Sequence, residues 1–160
     1  MAAGFRVVLY DQYGRGFSDR PRAPFSIDLM RAQLAELMDH LEIERAHLYG
    51  VSLGGAIVTR FAAAHPDRVQ TLGLQVPLIG GANVSRNVLL ARLPLVGPLL
   101  ARFYAIPAIL ERGESFSPKT EAGRAQMAHF KSQCAVKGTE RMMTQMLSGD
   151  ALSDRMDDHR

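Results

Sequence analysis

The sequence predicts an α/β fold in which three parallel strands and flanking helices precede a helical region. Three short apolar runs rich in β-formers, at residues 5–10, 46–49 and 69–76, read as strands buried on both faces. Segments with apolar residues at helical spacing lie between them. Beyond Leu78 no clear strand appears. A β-α-β-α-β order implies parallel strands joined by right-handed crossovers.

Each element has its own signals. The run Phe5-Arg6-Val7-Val8-Leu9-Tyr10 supplies the first strand. Gly14, Gly16, Pro21 and Pro24 punctuate residues 11–24, which read as a loop. Ser26 is placed to cap a helix, and Leu29, Met30, Leu34, Leu37, Met38 and Leu41 recur at helical spacing after it. Ala46-His47-Leu48-Tyr49 forms the second strand, stopped by Gly50. Leu53–Ala64 reads as a helix rich in small residues, ended by His65-Pro66. The third strand follows and stops at Pro77.

In the second half, Gly80-Gly81 and Pro94, Pro98, Pro107 and Pro118 break the chain into short segments. Val88-Leu89-Leu90, and Leu99-Leu100 with Phe103-Tyr104, read as short amphipathic helices. A longer helix is expected from near Pro118 to about Val136, and another over Thr139–Leu147. The polar tail 154–160 is expected to fray. These contrasts divide the chain into a core at 1–77 and a helical region at 78–160.

Composition narrows the function classes. The 160 residues suit one domain, and 47% hydrophobic with 22% charged residues excludes disorder of the whole chain. No apolar run approaches the ~18 residues of a membrane span. The start lacks the basic and apolar regions of a signal peptide. Cys134 is the only cysteine, which excludes an internal disulfide and a multi-cysteine zinc site and fits a cytoplasmic setting. The net charge of +3 arises in residues 78–160, with 11 basic and 8 acidic side chains, against 8 of each in residues 1–77. So thin a surplus is no nucleic-acid footprint.

The chemistry lies at Gly50-Val51-Ser52-Leu53-Gly54, a G-x-S-x-G sequence between a strand and a helix. A serine hydroxyl becomes a useful nucleophile when exposed and aligned with a base. A sharp turn lifts it out of the sheet at the cost of backbone strain. Strand and helix then come close, so Gly50 and Gly54 are expected to be small for elbow geometry. The Leu53 amide sits at the helix N-terminus, where a developing oxyanion is favoured. A phosphate-binding turn is the rival, since Gly50, Gly54 and Gly55 precede a helix. Neither G-x-G-x-x-G nor G-x-x-x-x-G-K-[ST] is present to support it.

Upstream, Asp11-Gln12-Tyr13-Gly14-Arg15-Gly16-Phe17-Ser18-Asp19 adds D-x-Y-G-x-G-x-S. With G-x-S-x-G-G and His65-Pro66-Asp67-Arg68-Val69 in order, the chain resembles the α/β-hydrolase superfamily, in its branch of serine esterases, lipases, aminopeptidases and C–C hydrolases with a helical cap. The resemblance spans residues 1–77 strongly. Residues 78–160 resemble the cap in being helical, apolar and inserted after the third strand. It implies an incomplete α/β-hydrolase fold whose strands here correspond to the family's fourth, fifth and sixth. It further implies that Ser52 is the nucleophile, that small-molecule acyl substrates enter beneath the cap, and that no metal or organic cofactor is needed. Halide-releasing and epoxide-opening relatives normally carry aspartate at the elbow, where this chain has Ser52.

Asp11, Gly14, Gly16 and Ser18 are read as turn-forming rather than catalytic. His40 and His47 are read as packing or surface residues, His65 as a helix terminator, and His129 as a cap residue. Met142, Met143 and Met146 are read as core or pocket lining. Cys134 has no evident activating partner. Asn83-Val84-Ser85 fits a glycosylation acceptor that stays inert without secretion. The family's acid and histidine follow two later strands that this sequence does not show. Asp150, Asp154, Asp157, Asp158 and, as base, His159 are the formal candidates, all in a polar tail. The family's third strand, between its fourth and fifth, and its oxyanion loop would precede Met1. Unpaired sheet edges are therefore expected, with marginal stability, self-association and little or no activity in this chain. A non-catalytic remnant or interaction module built on half of the fold is the alternative.

Overall fold

The computed structural model describes residues 4–75, 93 and 96–147. Helix α1, Ile27–His40, starts where Ser26 takes an extended backbone and its Oγ accepts the Leu29 N–H at 3.0 Å. This satisfies one of the N–H groups a helix start leaves unpaired. Ile27, Met30, Leu34 and Met38 form its buried stripe. The chain leaves α1 through Glu42 at φ 55°, and the Ile43 N–H returns to Met38 O at 2.8 Å.

Strand β1, Ala46–Val51, leads through Ser52 into α2, Leu53–Ala64. A 3-10 turn, Pro66–Arg68, then opens into β2, Val69–Gln75. The strands pair in parallel, with Leu48 opposite Leu72, Gly50 opposite Leu74 and Val51 opposite Gln75. Arg68 ties their beginnings to α1. Its guanidinium donates to Glu44 O, Ile43 O and Asp39 Oδ1 at 2.7–2.9 Å.

Helices α1 and α2 cover one face of this sheet. Leu34, Met38, Leu48, Val58 and Phe61 form one buried cluster, joined at its margin by Tyr10 and Val69. Phe25, Ile27, Met30, Ala56, Ile57 and Met142 form the other. On the opposite face His47, Tyr49 and Val51 are exposed, the last two at 66% and 50%. There His47 Nδ1 lies 2.7 Å from Thr71 Oγ1, and the Tyr49 hydroxyl donates to Gln75 Oε1.

Of the three expected strands, two form a ladder. Residues 5–10 join no sheet among the described residues. Phe5 and Leu9 are 64% and 91% exposed, and only the Tyr10 end reaches the core. A strand needs a neighbour to receive its N–H and C=O groups, and β-forming side chains cannot substitute for one.

Two prolines of the second half do not break the chain as expected. Val96–Leu100 is helix α3, Ala101–Ala105 is a π turn, and Ile106–Phe116 is α4, so Pro98 and Pro107 lie within one helical run. Pro98 falls in the first turn, where its missing N–H has no helical acceptor to lose. Before Pro107 the ladder widens, with the Ile106 N–H bonding Ala101 O. A wider turn relieves the clash of a proline ring with the preceding turn. Helix α5, Glu121–Cys134, is capped by Thr120, whose Oγ1 accepts the Gly123 N–H at 3.1 Å, and is shorter than expected at both ends. Helix α6 occupies Thr139–Leu147 as expected. Met142 and Met143 are buried, and α6 packs on α3. The side chain of Met146, residues 83–85 and 88–90, and the tail with Asp150 and His159 lie outside the described residues.

Candidate active site

The strand-to-helix junction takes one residue. Ser52 sits at φ 52° and ψ −119°, a positive-φ conformation that costs a non-glycine residue about 1–3 kcal/mol. Two kinds of backbone bond hold it. Its N–H donates to Gln75 O at 3.0 Å, fixing the turn to the end of β2. Its carbonyl accepts Gly55 N–H at 3.0 Å and Ala56 N–H at 3.4 Å, starting α2. Serine at a helix start ordinarily uses its hydroxyl as a cap. Here Ser52 makes no such bond and its side chain is exposed. At this positive φ, Oγ makes no cap bond to the helix N–H groups, and Leu53 supplies the first amide of the helix beside it.

Gly50 makes this turn sterically feasible. A Cβ there would lie 2.4 Å from Gly54 O and 2.7 Å from Gly55 N, so strand and helix backbones meet with no room for a side chain. Gly54 differs from its sequence-based reading. A Cβ on it would meet only Gln12 Nε2, at 4.0 Å, an ordinary contact. The closeness is set by the Gly54 backbone rather than by its lack of a side chain.

The loop beside the junction is a closed hydrogen-bonded turn. The Phe17 N–H donates to Asp11 Oδ2 at 2.9 Å, and Ser18 Oγ donates to Asp11 O at 2.5 Å. Gly16, at φ 50°, leaves the space that the Asp11 carboxyl fills, since a Cβ would be 2.0 Å from it. Asp11 is thus spent on the turn. Gln33 on α1 clamps the loop from outside, accepting the Tyr13 N–H at 2.8 Å and donating to Asp11 O at 3.1 Å. Sequence reasoning missed Gln33 and Gln12, because a lone glutamine carries no motif.

Gly50, Ser52, Leu53 and Gly54 stand together at the β1–α2 junction, whereas His159 lies outside the described residues. Among the described residues no histidine hydrogen-bonds Ser52. His65 stands at the far end of α2, about 20 Å along the helix axis from Ser52. Its ring lies against Phe61, with Nε2 3.2 Å from Arg31 Nη1. His47 meets Thr71 and Phe5, His129 lies against Phe17, and His40 is exposed in the last turn of α1.

Cys134 is held as a neutral thiol. Burial pushes its pKa up, and the nearby Arg15 guanidinium opposes this. A described cavity of about 320 Å³ lies between α4 and α5, lined by Glu114, Lys119, Arg124, Met127 and Lys131, apart from Ser52. No group of three or more His, Cys, Asp or Glu among the described residues is arranged to hold a metal. No helix among them is long and apolar enough to cross a membrane.

A sequence model of the alpha/beta hydrolase fold matches residues 1–105. The chain is 40% identical over 108 residues to a 2-hydroxy-6-oxo-6-phenylhexa-2,4-dienoate hydrolase of Comamonas testosteroni, covering 66% of this chain and 36% of the relative. It is 32% identical over 117 residues to the dihydrolipoyllysine-residue acetyltransferase component of an acetoin cleaving system of Pseudomonas putida, covering 70% of this chain and 32% of that protein. Among solved structures, a haloalkane dehalogenase from Bradyrhizobium elkani superposes with a TM-score of 0.67 at 23% identity, covering 92% of this chain and 53% of the other. The chain thus spans about a third of the length of these curated relatives and about half that of the solved structure. Taken with parallel strands, flanking helices and the strained turn at Ser52, these matches establish that the chain belongs to the alpha/beta hydrolase fold family.

Proposed function

We propose that the chain carries the nucleophile of a serine hydrolase acting on carboxylic esters or related acyl compounds. The observation that carries this reading is Ser52, exposed at φ 52° between β1 and α2 with its hydroxyl uncommitted to capping. Ser52 Oγ would bond to the acyl carbon, and the alcohol, or the carbon fragment in a C–C cleavage, would leave with a proton. Water would then release the acid and regenerate the serine. The Leu53 N–H, reinforced by the helix dipole, would steady the oxyanion. Residues 78–160 would serve as the cap above this site. The dienoate hydrolase among the relatives supports a C–C hydrolase or esterase branch. Serine in place of aspartate argues against halide release and epoxide opening.

Turnover by this chain is proposed to be weak, because no described histidine hydrogen-bonds Ser52 and His65, His47 and His129 are engaged elsewhere. The test is labelling by an alkyl fluorophosphonate, with peptide mapping. Slow covalent labelling at Ser52, absent in Ser52→Ala, is expected. Labelling that persists in Ser52→Ala, or none in a folded wild-type chain, refutes the nucleophile.

A second reading, a non-catalytic interaction module, is favoured by the sheet face that no described helix covers. Tyr49, Val51, Phe5 and Leu9 are exposed, and β1 carries neither the charge nor the proline that protects an edge strand. We propose self-association through this edge, in the cytoplasm. Sedimentation velocity is expected to show a mass that rises with concentration and that Tyr49→Lys lowers. A wild-type monomer at all concentrations refutes it.

A further inference from the structure

We propose that Gln12 is a substrate-binding residue of the Ser52 site, its side-chain amide donating a hydrogen bond to an oxygen of the bound acyl compound. The inference rests on Ser52 being the nucleophile. Its basis is the contrast between how firmly the Gln12 backbone is held and how little engages its side chain. On either side, Asp11 O and the Tyr13 N–H are clamped by the single Gln33 amide at 3.1 and 2.8 Å. Asp11 O also accepts from Ser18 Oγ at 2.5 Å, and Gln12 O accepts the Arg15 N–H at 2.9 Å. The main chain is therefore fixed before any ligand arrives.

The side chain of Gln12 is half-buried, yet its amide has no hydrogen-bond partner among the described residues. Its Nε2 stands 4.0 Å from where a Cβ on Gly54, two residues beyond Ser52, would be. The amide thus lies beside the first turn of α2, the helix that Ser52 begins. An amide offers two N–H donors, and because this one is not sealed from solvent, a ligand oxygen can take the place of water on it. An acyl or leaving-group oxygen at the elbow would satisfy it. With the main chain already held, binding has only the Gln12 side chain to order. The group recognised is a neutral or anionic oxygen acceptor, since Gln12 brings no charge.

The test measures alkyl fluorophosphonate labelling as a function of probe concentration for the wild-type chain, Gln12→Leu and Gln12→Glu. Gln12→Leu keeps the bulk and removes both donors, whereas Gln12→Glu offers acceptors alone. Both are expected to raise the probe concentration at half-maximal rate about tenfold, with an unchanged melting temperature because the amide holds nothing in the fold. Gln12→Asn, which keeps a shorter donor, should lie between. Labelling of Ser52 at the same half-maximal concentration in wild-type and Gln12→Leu overturns the role of Gln12 and leaves the serine reading standing. No labelling in the wild type overturns both.

Discussion

The two faces of the β1–β2 sheet are built from alternate residues of the same strands and meet different fates. On one, Leu48 and Gly50 are buried beneath α1 and α2, with Phe61 at 0% exposure among them. On the other, His47, Tyr49 and Val51 face outward, and no described helix covers them. A strand that puts tyrosine and valine on its open side has the composition of one buried on both sides. Sequence therefore specifies burial that the described residues fulfil on one face only.

The largest expected effect lies on the covered face. Phe61→Ala opens a cavity in one of the two core clusters and should cost about 3–5 kcal/mol, enough to abolish cooperative thermal melting. Tyr49→Ser on the open face should leave that melt within about 0.5 kcal/mol of wild type. Equal losses from the two would erase the contrast between the faces.

This asymmetry also marks what was legible in the sequence. The bounds of α1, α2 and α6 could be read because caps and helical spacing are local signals, as at Ser26 and at His65-Pro66. G-x-S-x-G between strand and helix likewise located the turn at Ser52. Residues 5–10 were misread because a ladder depends on a neighbouring strand that no local pattern contains. Pro98 and Pro107 were misread as breaks because a first helical turn and a π turn both tolerate proline. Gln12 and Gln33 became visible only when the loop folded against α1 and α2.

A smaller effect probes the junction between the faces. Ser52→Gly removes the penalty at φ 52° and should raise stability by about 1 kcal/mol, read as a higher melting temperature, while abolishing labelling. A fall in melting temperature would show that the turn is not strained.

The smallest effect is expected at Cys134. Burial raises its pKa in the folded state, so folding favours the neutral thiol. That contribution is complete below the thiol's ordinary pKa and is lost as pH rises through the higher, folded value. Cys134→Ser should flatten the alkaline decline in melting temperature. An unchanged alkaline profile would locate the decline in other groups.

The Gln33 clamp has a consequence for how this protein tolerates change. One carboxamide answers a donor and an acceptor on the same stretch of loop, so its two ends are not interchangeable. A glutamate there would keep the oxygen for Tyr13 and press a second, lone-pair-bearing oxygen against the Asp11 carbonyl. A mutation on an amphipathic helix, remote in sequence from every motif, would then be felt as a misaligned rim around the nucleophile.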